Sequence, residues 1–325
     1  MSQKRKSTHP LVFFIFFSFV LSTPTTKTKP NKYGWDKKKM YIDFDESMKL
    51  SQYPKAIRVT KRITELDGIA LLAFFRDLYN KNNLAKVIPS EKPKVPKIIH
   101  QIWLGSEMPQ ELKKYTATWL QKHAKGGWRY KLWTDKDVEN FNLYNKDIFD
   151  RETNFGAKSD IFRYEILYRH GGVYVDTDFE CLRALDLFNH RYDFYVGIQP
   201  LDTQYLQLGI GLIGSAPGHP ILKHSIETLR HSFDTHKGAP AKTGPIHLTR
   251  SFFAVAGKTD TIDIAFPATY FYPLGGYDND IDRDKWEKIG GFAVHWWGKT
   301  WMPLKYRKGD FRKIKNDTLT KNWNK

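Results

Sequence analysis

The segment AKSDIFRYEILYRHGGVYVDTDFE, residues 157–180, constrains the fold more than any other part of the chain. Its first part has apolar side chains at helical spacing and predicts an amphipathic helix over residues 157–169, with Ser159 at its start. The glycine pair 171–172 ends this helix, because glycine supplies the positive φ of a sharp helix-to-strand turn. The β-branched and aromatic run 173–175 then predicts a short buried strand.

That strand ends in two carboxylates, Asp176 and Asp178. Residues i and i+2 of a strand point the same way, so both side chains are expected on one side. Such a pair suits Mg²⁺ or Mn²⁺, which take one or two carboxylates and complete their shell with water and phosphate. On the preceding helix, Asp160 and Arg163 are three residues apart and share a face. From these residues alone, strand-end charges facing water remain an alternative.

The order S-D-x-x-R-Y followed by G-G-x-Y-x-D-x-D resembles glycosyltransferase family 32, the DXD-containing sugar transferases that include fungal outer-chain mannosyltransferases. The resemblance covers residues 95–301. It implies a GT-A fold, which is a nucleotide-sugar-binding α/β fold with a Rossmann-like mixed sheet. It also implies metal-dependent transfer of a hexose with retention of the anomeric configuration.

The resemblance further implies roles for individual residues. The catalytic residues are Asp160, Arg163, Asp176 and Asp178. His295, in the segment HWWGKTW, is a third metal ligand, and an imidazole ligand favours Mn²⁺ over Mg²⁺. The donor-binding residues are His100, Gln101, Trp103, Ser159, Tyr174, Thr300 and Trp301. The donor is a GDP- or UDP-hexose (mannose, galactose, glucose or N-acetylglucosamine), and the acceptor is a glycan, a lipid or a protein.

Several of these residues have a plainer interpretation. Trp103 is of a type common in cores, and His100 is equally typical of a satisfied buried imidazole. The segment around His295 also reads as an aromatic surface cluster. Ile210 stands where the family usually has Asn, which affects any ligand contact that Asn would make. The T-G-P sequence at 243–245 matches a family turn that approaches the ligand, or is a simple turn.

Periodic runs elsewhere predict an alternation of strands and helices, and so an α/β sheet with crossovers. Predicted strands cover 98–103, 130–133, 192–198 and 209–215; predicted helices cover 66–79, 109–123 and 220–231. Thr134 and Asp135 are expected to cap a further helix. Ligands in such sheets bind beyond the carboxyl ends of the strands, where the D-x-D sequence lies.

The net charge of +17 lies in the flanks. Residues 1–97 hold 20 basic and 8 acidic residues, residues 302–325 hold 8 and 2, and the middle holds 24 and 25. A neutral middle argues against a nucleic-acid protein, whereas basic flanks fit association with an anionic membrane surface or plain solubility. The single cysteine, Cys181, excludes an internal disulfide and is expected to be a small buried filler.

The chain divides into four predicted regions. Residues 1–24 combine a basic start with an apolar run of 11 residues, which predicts a signal peptide or signal anchor and hence an exported or membrane-associated protein. Residues 25–93 are a basic linker and helical extension, residues 94–301 the GT-A catalytic domain, and residues 302–325 a basic tail. The helix of the extension is expected to pack on the main domain.

Two other functions compete with a glycosyltransferase. A metal-dependent phosphatase also places D-x-D after an apolar strand, but here the fifth residue of the motif is Glu180 and the motif lies mid-chain. A non-enzymatic basic protein binding a membrane surface would explain the flanks but not the neutral middle. A glycoside hydrolase is disfavoured, since its two carboxylates stand about 5–10 Å apart rather than sharing a cation.

Overall fold

Short apolar runs form the strands at the centre of the protein, in a computed structural model that describes residues 41–278 and 281–298. The predicted α/β architecture with a mixed sheet is confirmed. The strands are β1 Ile98–Ile102, β2 Arg129–Trp133, β3 Gly172–Val175, β4 Phe179–Cys181, β5 Phe194–Ile198, β6 Leu208–Ser215, β7 Asp263–Phe266 and β8 Ala293–His295.

Helices cover both ends and faces of these strands. They are α1 Phe44–Ser47, α2 Pro54–Thr64, α3 Gly68–Asn82, α4 Gln110–Lys122, α5 Asp135–Glu139, α6 Lys146–Arg151, α7 Phe155–His170, α8 Asp186–Asn189, α9 Pro220–Thr235, α10 Ala239–Lys242, α11 Pro245–Val255 and α12 Arg283–Lys288. The helices predicted at 109–123 and 220–231 are α4 and α9. No helix in the described ranges is long and apolar enough to span a bilayer.

Six strands form the main sheet in the order β2-β1-β3-β6-β5-β7, and β4 pairs with β8 in a separate two-stranded sheet. β1, β2 and β3 are mutually parallel, as are β5 and β7, whereas β6 is antiparallel to both β3 and β5. The carboxyl ends of β1 and β3 therefore meet at one edge of the sheet, beside β6.

The helix α7 differs from the predicted amphipathic helix. It begins at Phe155, because Asn154 caps it by accepting a hydrogen bond from the Ala157 amide, and Ser159 lies inside it. Most of the residues from Ala157 to Leu167 are buried, so the helix has no wide polar face. Its end is as predicted, with Gly171 at φ 60° and Gly172 at φ 103°.

The predicted helix of the N-terminal extension is α3, and it packs on the main sheet as expected. Leu71, Phe75 and Tyr79 of this helix are fully buried, whereas Ile69, an apolar residue within the predicted range 66–79, is 73% exposed. Aromatic contacts orient the helix on the sheet. The Phe74 ring, for example, lies edge-on to the Phe253 ring, with the ring centres 5.1 Å apart. The domain boundaries stay predictions, and residues 1–24 lie outside the described ranges.

Candidate active site

A cavity of about 490 Å³ lies where β1 and β3 end. Ligands of α/β sheets bind at this position, so the location agrees with the predicted site. Its wall includes three parts of the chain that the sequence singled out, namely the segment after β1, the start of α7 and the D-x-D segment. The polar residues of the wall include Ser159, Asp160, Arg163, Tyr174, Asp176, Asp178, Gln199, Tyr205, Gln207, Tyr272 and His295.

Asp176, Asp178 and His295 lie together, with one ligand atom from each within 4.8 Å of the others. They meet for a reason other than the predicted alternation along a strand. β3 ends at Val175, and the two aspartates lie in a turn in which the Phe179 amide bonds to the Asp176 carbonyl at 3.1 Å. The pairing of β4 with β8 then places His295 opposite Phe179.

The bonds of Asp178 favour its charged form. His295 Nε2 lies 3.2 Å from Asp178 Oδ2, and the Gly298 amide donates to the same oxygen at 2.7 Å. Burial alone would raise the pKa of Asp178, but the His295 charge and these hydrogen bonds bring the pKa below its usual value. Asp178 is therefore a carboxylate at neutral pH and available as a ligand.

This group of residues fits a divalent cation. The His295 nitrogen that faces the carboxylates is Nε2, 3.2 Å from Asp178 Oδ2, so the imidazole offers a ligand atom on the side of the two aspartates. Two carboxylates and one imidazole match the ligands of Mn²⁺, and of Mg²⁺ less well. The alternative is an aromatic surface cluster, but the aromatic rings here are buried: the His295 ring stacks at 4.6 Å on the Phe179 ring, which is fully buried.

Asp160 and Arg163 share a face of α7 as predicted, and both are buried. Arg163 reaches four acceptors. They are Asp160 Oδ1 at 3.0 Å, Asp176 Oδ1 at 3.3 Å, the Ile210 carbonyl at 2.7 Å and the Ser159 carbonyl at 3.3 Å. Its guanidinium also lies 4.3 Å from the centre of the Tyr174 ring. Arg163 thus connects helix α7 to the turn that contains Asp176 and Asp178 and to strand β6.

Asp160 has a second partner in the T-G-P turn. The Thr243 hydroxyl donates to Asp160 Oδ2 at 2.9 Å, and a Cβ at Gly244 would lie 3.1 Å from the same oxygen. Burial raises the pKa of Asp160 to about 7, against the lowering effect of Arg163 and Thr243. The turn therefore approaches the site closely, as one of the two sequence interpretations expected.

The predicted donor-binding residues are divided between two places. Trp103, Ser159 and Tyr174 line the cavity, and Tyr174 donates to Asp176 Oδ1 at 2.7 Å. His100 and Gln101 do not line it. Thr300 and Trp301 lie outside the described residues, so their predicted contact with the donor stays a prediction.

His100 and Gln101 are buried among protein partners. His100 Nε2 lies 2.9 Å from the Gly171 carbonyl, and its Nδ1 accepts from the Trp133 indole at 3.1 Å. Gln101 Oε1 accepts from Thr116 and Tyr130. This geometry is the satisfied buried imidazole that the residues alone left open.

Sequence reasoning missed some residues of the wall. Ile210 was singled out only as a departure from the family, yet its carbonyl binds Arg163 and its side chain lines the cavity. Tyr272 and Trp297 also line it, and neither was assigned a role. No local signal marks Tyr272, because it reaches the site through contacts with strands that lie far away in sequence.

Comparison with known proteins agrees with the geometry. Residues 109–195 match the family described as a glycosyltransferase sugar-binding region containing a DXD motif. An uncharacterized glycosyltransferase of Acanthamoeba polyphaga mimivirus is 29% identical over 57% of this chain and 76% of the viral protein.

Two fungal relatives are similar as well. The inositol phosphoceramide mannosyltransferase 3 of Schizosaccharomyces pombe is 30% identical over 53% of this chain and 48% of its own length. The mannosyl phosphorylinositol ceramide synthase SUR1 of Saccharomyces cerevisiae is 28% identical over 54% and 46%. The chain thus spans about half the length of these fungal relatives. Among solved structures, the PaToxG glycosyltransferase superposes with a TM-score of 0.44 at 16% identity, over 59% of this chain and 79% of that one.

Proposed function

We propose that this chain, which belongs to the DXD-containing glycosyltransferases of the family 32 type, transfers a hexose from a nucleoside diphosphate sugar to an acceptor hydroxyl. The observation that carries the proposal is the meeting of Asp176, Asp178 and His295 within 4.8 Å at the wall of a 490 Å³ cavity. Neither a phosphatase nor a non-enzymatic binding protein is favoured by the comparisons.

Asp176, Asp178 and His295 would hold the cation, with Mn²⁺ preferred over Mg²⁺ because one ligand is an imidazole. When bound there, the cation supplies Lewis-acid stabilisation of the negative charge on the departing diphosphate, an effect of several kcal/mol. Tyr174 and Arg163 fix the Asp176 carboxylate from behind, so the ligand does not have to be ordered when the donor arrives.

Asp160 and Arg163 would orient the hexose. The Asp160 carboxylate accepts hydrogen bonds, and its position is fixed by Arg163 and Thr243. The Arg163 guanidinium donates to four acceptors, so its direction is set before a sugar binds. Retention of the anomeric configuration is proposed on family membership, and with it no strong base opposite the leaving group is required.

Mannose from GDP-mannose is our first candidate for the donor, since one fungal relative is named an inositol phosphoceramide mannosyltransferase and the other a mannosyl phosphorylinositol ceramide synthase. Both names contain a phosphoinositol ceramide, which supports a lipid acceptor here ahead of a glycan or a protein. Association with an anionic membrane surface would suit that acceptor. In its support, Lys55, Arg58, Lys61 and Arg62 are all exposed on α2. Export through residues 1–24 stays part of the proposal.

A calorimetric titration of GDP and of UDP, each with and without Mn²⁺, tests the proposal. We expect one nucleotide to bind only when Mn²⁺ is present, and Asp178→Ala to abolish that binding. The control Asp147→Ala removes an exposed carboxylate that pairs with Arg230 outside the cavity, and should bind as the wild type does. Binding without metal, or no binding of either nucleotide, would contradict the proposal.

Turnover completes the test. We expect a panel of GDP- and UDP-hexoses to show hydrolysis of at least one donor in the absence of an acceptor, dependent on Mn²⁺ or Mg²⁺. The donor that is hydrolysed then identifies the sugar.

A further inference from the structure

Trp297 is a residue of the cavity wall with an unusual backbone conformation. Its φ is 54°, in the left-handed region that glycine favours and that bulky side chains rarely adopt. The other non-glycine residues with positive φ in the described ranges are Lys49, Glu65 and Gln204, which are polar, exposed and outside the cavity wall. A bulky residue keeps this conformation only when its surroundings hold it, and such residues concentrate at functional sites.

Several contacts hold the indole of Trp297. Its Nε1 donates to the Leu274 carbonyl at 3.0 Å, and its Cδ2 lies 3.8 Å from the ideal Cβ position of Gly276. The centre of the indole lies 4.4 Å from the centre of the His295 ring. The indole therefore stabilises the left-handed backbone and also packs against one of the proposed cation ligands.

The backbone next to Trp297 binds a second ligand, Asp178. The Trp296 amide donates to the Asp178 carbonyl at 3.0 Å, and the Gly298 amide donates to Asp178 Oδ2 at 2.7 Å. If the pairing of β4 with β8 continued in the same register, residue 298 would lie opposite Asp176. The left-handed residue leaves the extended conformation, and the Gly298 amide is thereby directed to the side chain of Asp178.

Both contacts concern residues that would hold the cation. Groups behind a metal ligand fix its orientation, and the loss of one typically costs about 10–100-fold in metal affinity. Trp297 acts in this way on His295 through its ring and on Asp178 through the backbone turn. Asp176 is held separately, by the hydroxyl of Tyr174.

From these contacts we infer that Trp297 is a positioning residue for the cation site. Its left-handed conformation keeps the Gly298 amide on Asp178, and its ring keeps the His295 imidazole turned towards the two aspartates. The inference rests on the proposed function, in which these residues hold the cation. Because Trp297 acts through the ligands, its effect is measurable with the metal alone, without a donor.

The experiment compares Trp297→Gly with Trp297→Val in the full chain. Both variants remove the indole, but glycine adopts a positive φ readily and the β-branched valine does not. Mn²⁺ alone is added to each protein, and electron paramagnetic resonance of the free ion gives the Kd. The site is identified as the one that Asp178→Ala abolishes, and the melting temperature is measured on the same samples.

We expect Trp297→Val to raise the Kd of Mn²⁺ about 10–100-fold, because the Gly298 amide turns away from Asp178 and the ring contact with His295 is lost. Trp297→Gly should raise the Kd less, because the Gly298 amide stays on Asp178. The difference between the two variants measures the contribution of the left-handed backbone.

Lys49, at φ 51°, provides the matched control. It is exposed and lies outside the cavity wall. Lys49→Val should therefore have a lower melting temperature than Lys49→Gly, while both bind Mn²⁺ with the Kd of the wild type. A change of Kd at position 49 as large as that at position 297 would contradict the inference, because it would reflect loss of stability alone.

Equal Kd values in Trp297→Gly and Trp297→Val would overturn the inference, and so would a wild-type Kd in Trp297→Val. If Trp297→Val does not fold, Trp297→Ala replaces it in the comparison, since alanine also disfavours a positive φ. Failure of the proposed function looks different. The wild type itself would then bind no Mn²⁺ at this site, which would refute the cation site and the inference with it.

Discussion

Two polar clusters lie within a few residues of the same strands, and they differ in how their polar atoms are paired. We name one the cavity cluster, formed by Asp160, Arg163, Asp176, Asp178 and His295. We name the other the interior cluster, formed by His100, Gln101, Thr116, Tyr130 and Trp133.

In the interior cluster the protein supplies the partners. Both nitrogens of His100 are within hydrogen-bond distance of a partner, and Gln101 Oε1 accepts two hydrogen bonds. The cavity cluster places the carboxyl groups of Asp160, Asp176 and Asp178 around one guanidinium, and His295 Nδ1 is left without a partner among the described residues. We infer from this comparison that the buried polar groups of the interior cluster stabilise the fold, because they pair with one another. The incompletely paired groups of the cavity cluster fit the proposed role in ligand binding.

The largest effect should come from Asp178→Asn, which keeps the shape of a ligand but removes its charge. We expect turnover of the donor to fall by ~10²–10³-fold, because a preorganised contact with the developing charge is lost. The free energy of unfolding should fall by no more than about 1 kcal/mol, because the lowered pKa shows that the charge stabilises the fold but an asparagine oxygen still accepts from the Gly298 amide. Donor hydrolysis and urea denaturation measure the two quantities, and Asp147→Asn is the control. A variant with normal turnover would place the metal elsewhere.

Acid should destabilise the interior cluster through His100. Burial lowers the pKa of His100 to about 4 in the folded protein, while its unfolded value is about 6.5. Because the folded pKa is the lower one, the contribution of neutral His100 to the free energy of unfolding is complete above pH 6.5. It is lost as the pH falls through 4, and the free energy of unfolding then decreases by up to about 3 kcal/mol. Denaturation curves at several pH values measure it.

His100→Gln should reduce the slope of the free energy of unfolding against pH, by at most the contribution of one proton taken up on unfolding. Substitution of the exposed His231 should leave that slope unchanged. His247 is buried in the same way and its pKa is also lowered to about 4. Its substitution is therefore expected to act like that of His100, which gives an internal repeat of the test. Equal slopes in all variants would show that buried histidines do not govern the acid response.

Arg163→Lys tests the distinction between the two clusters, since Arg163 belongs to the cavity cluster but is buried and fully paired like the residues of the interior cluster. A lysine keeps the charge but cannot reach Asp160, Asp176 and the Ile210 carbonyl at once. We expect the free energy of unfolding to fall by about 2 kcal/mol and turnover to fall as well. A lower free energy of unfolding with normal turnover would give Arg163 a structural role only. Lower turnover with normal stability would give it a role in the site only.

The smallest effect should come from Tyr130→Phe, which removes one of the two hydrogen bonds to Gln101 Oε1. We expect a loss of about 1 kcal/mol in the free energy of unfolding and unchanged donor kinetics. An increase in the KM of the donor would instead link Gln101 to donor binding, as the family resemblance implies.

Much of the fold could be predicted because its signals are local. The strands β1, β3, β5 and β6 are short, mostly apolar runs, and Thr134 caps α5 in a capping box with Asp137, as its sequence indicates. What failed depends on tertiary contacts. The face of α3 that is buried is decided by distant aromatic rings, and α7 is buried almost all round although its sequence reads as amphipathic.

The candidate site follows the same rule. The D-x-D pair and the Asp160–Arg163 pair are close in sequence, so spacing alone brought them forward. The turn that joins Asp176 to Asp178, and the strand pairing that brings in His295, depend on β8, more than 100 residues later. Tyr272 is fixed by Gly197 and Gly209, and no pattern around residue 272 indicates this.

The pairing of β4 with β8 has a consequence for synthesis of the protein. A growing chain acquires the six described strands of the main sheet by Phe266, but His295, the third residue of the proposed cation site, only with β8. Domains fold as they emerge, so a nascent chain would hold the sheet and both aspartates before it could chelate a metal through all three ligands. The proposed activity would thus be acquired only after the sheet has formed. A translation product that ends before β8 would contain the sheet and both aspartates but would be inactive.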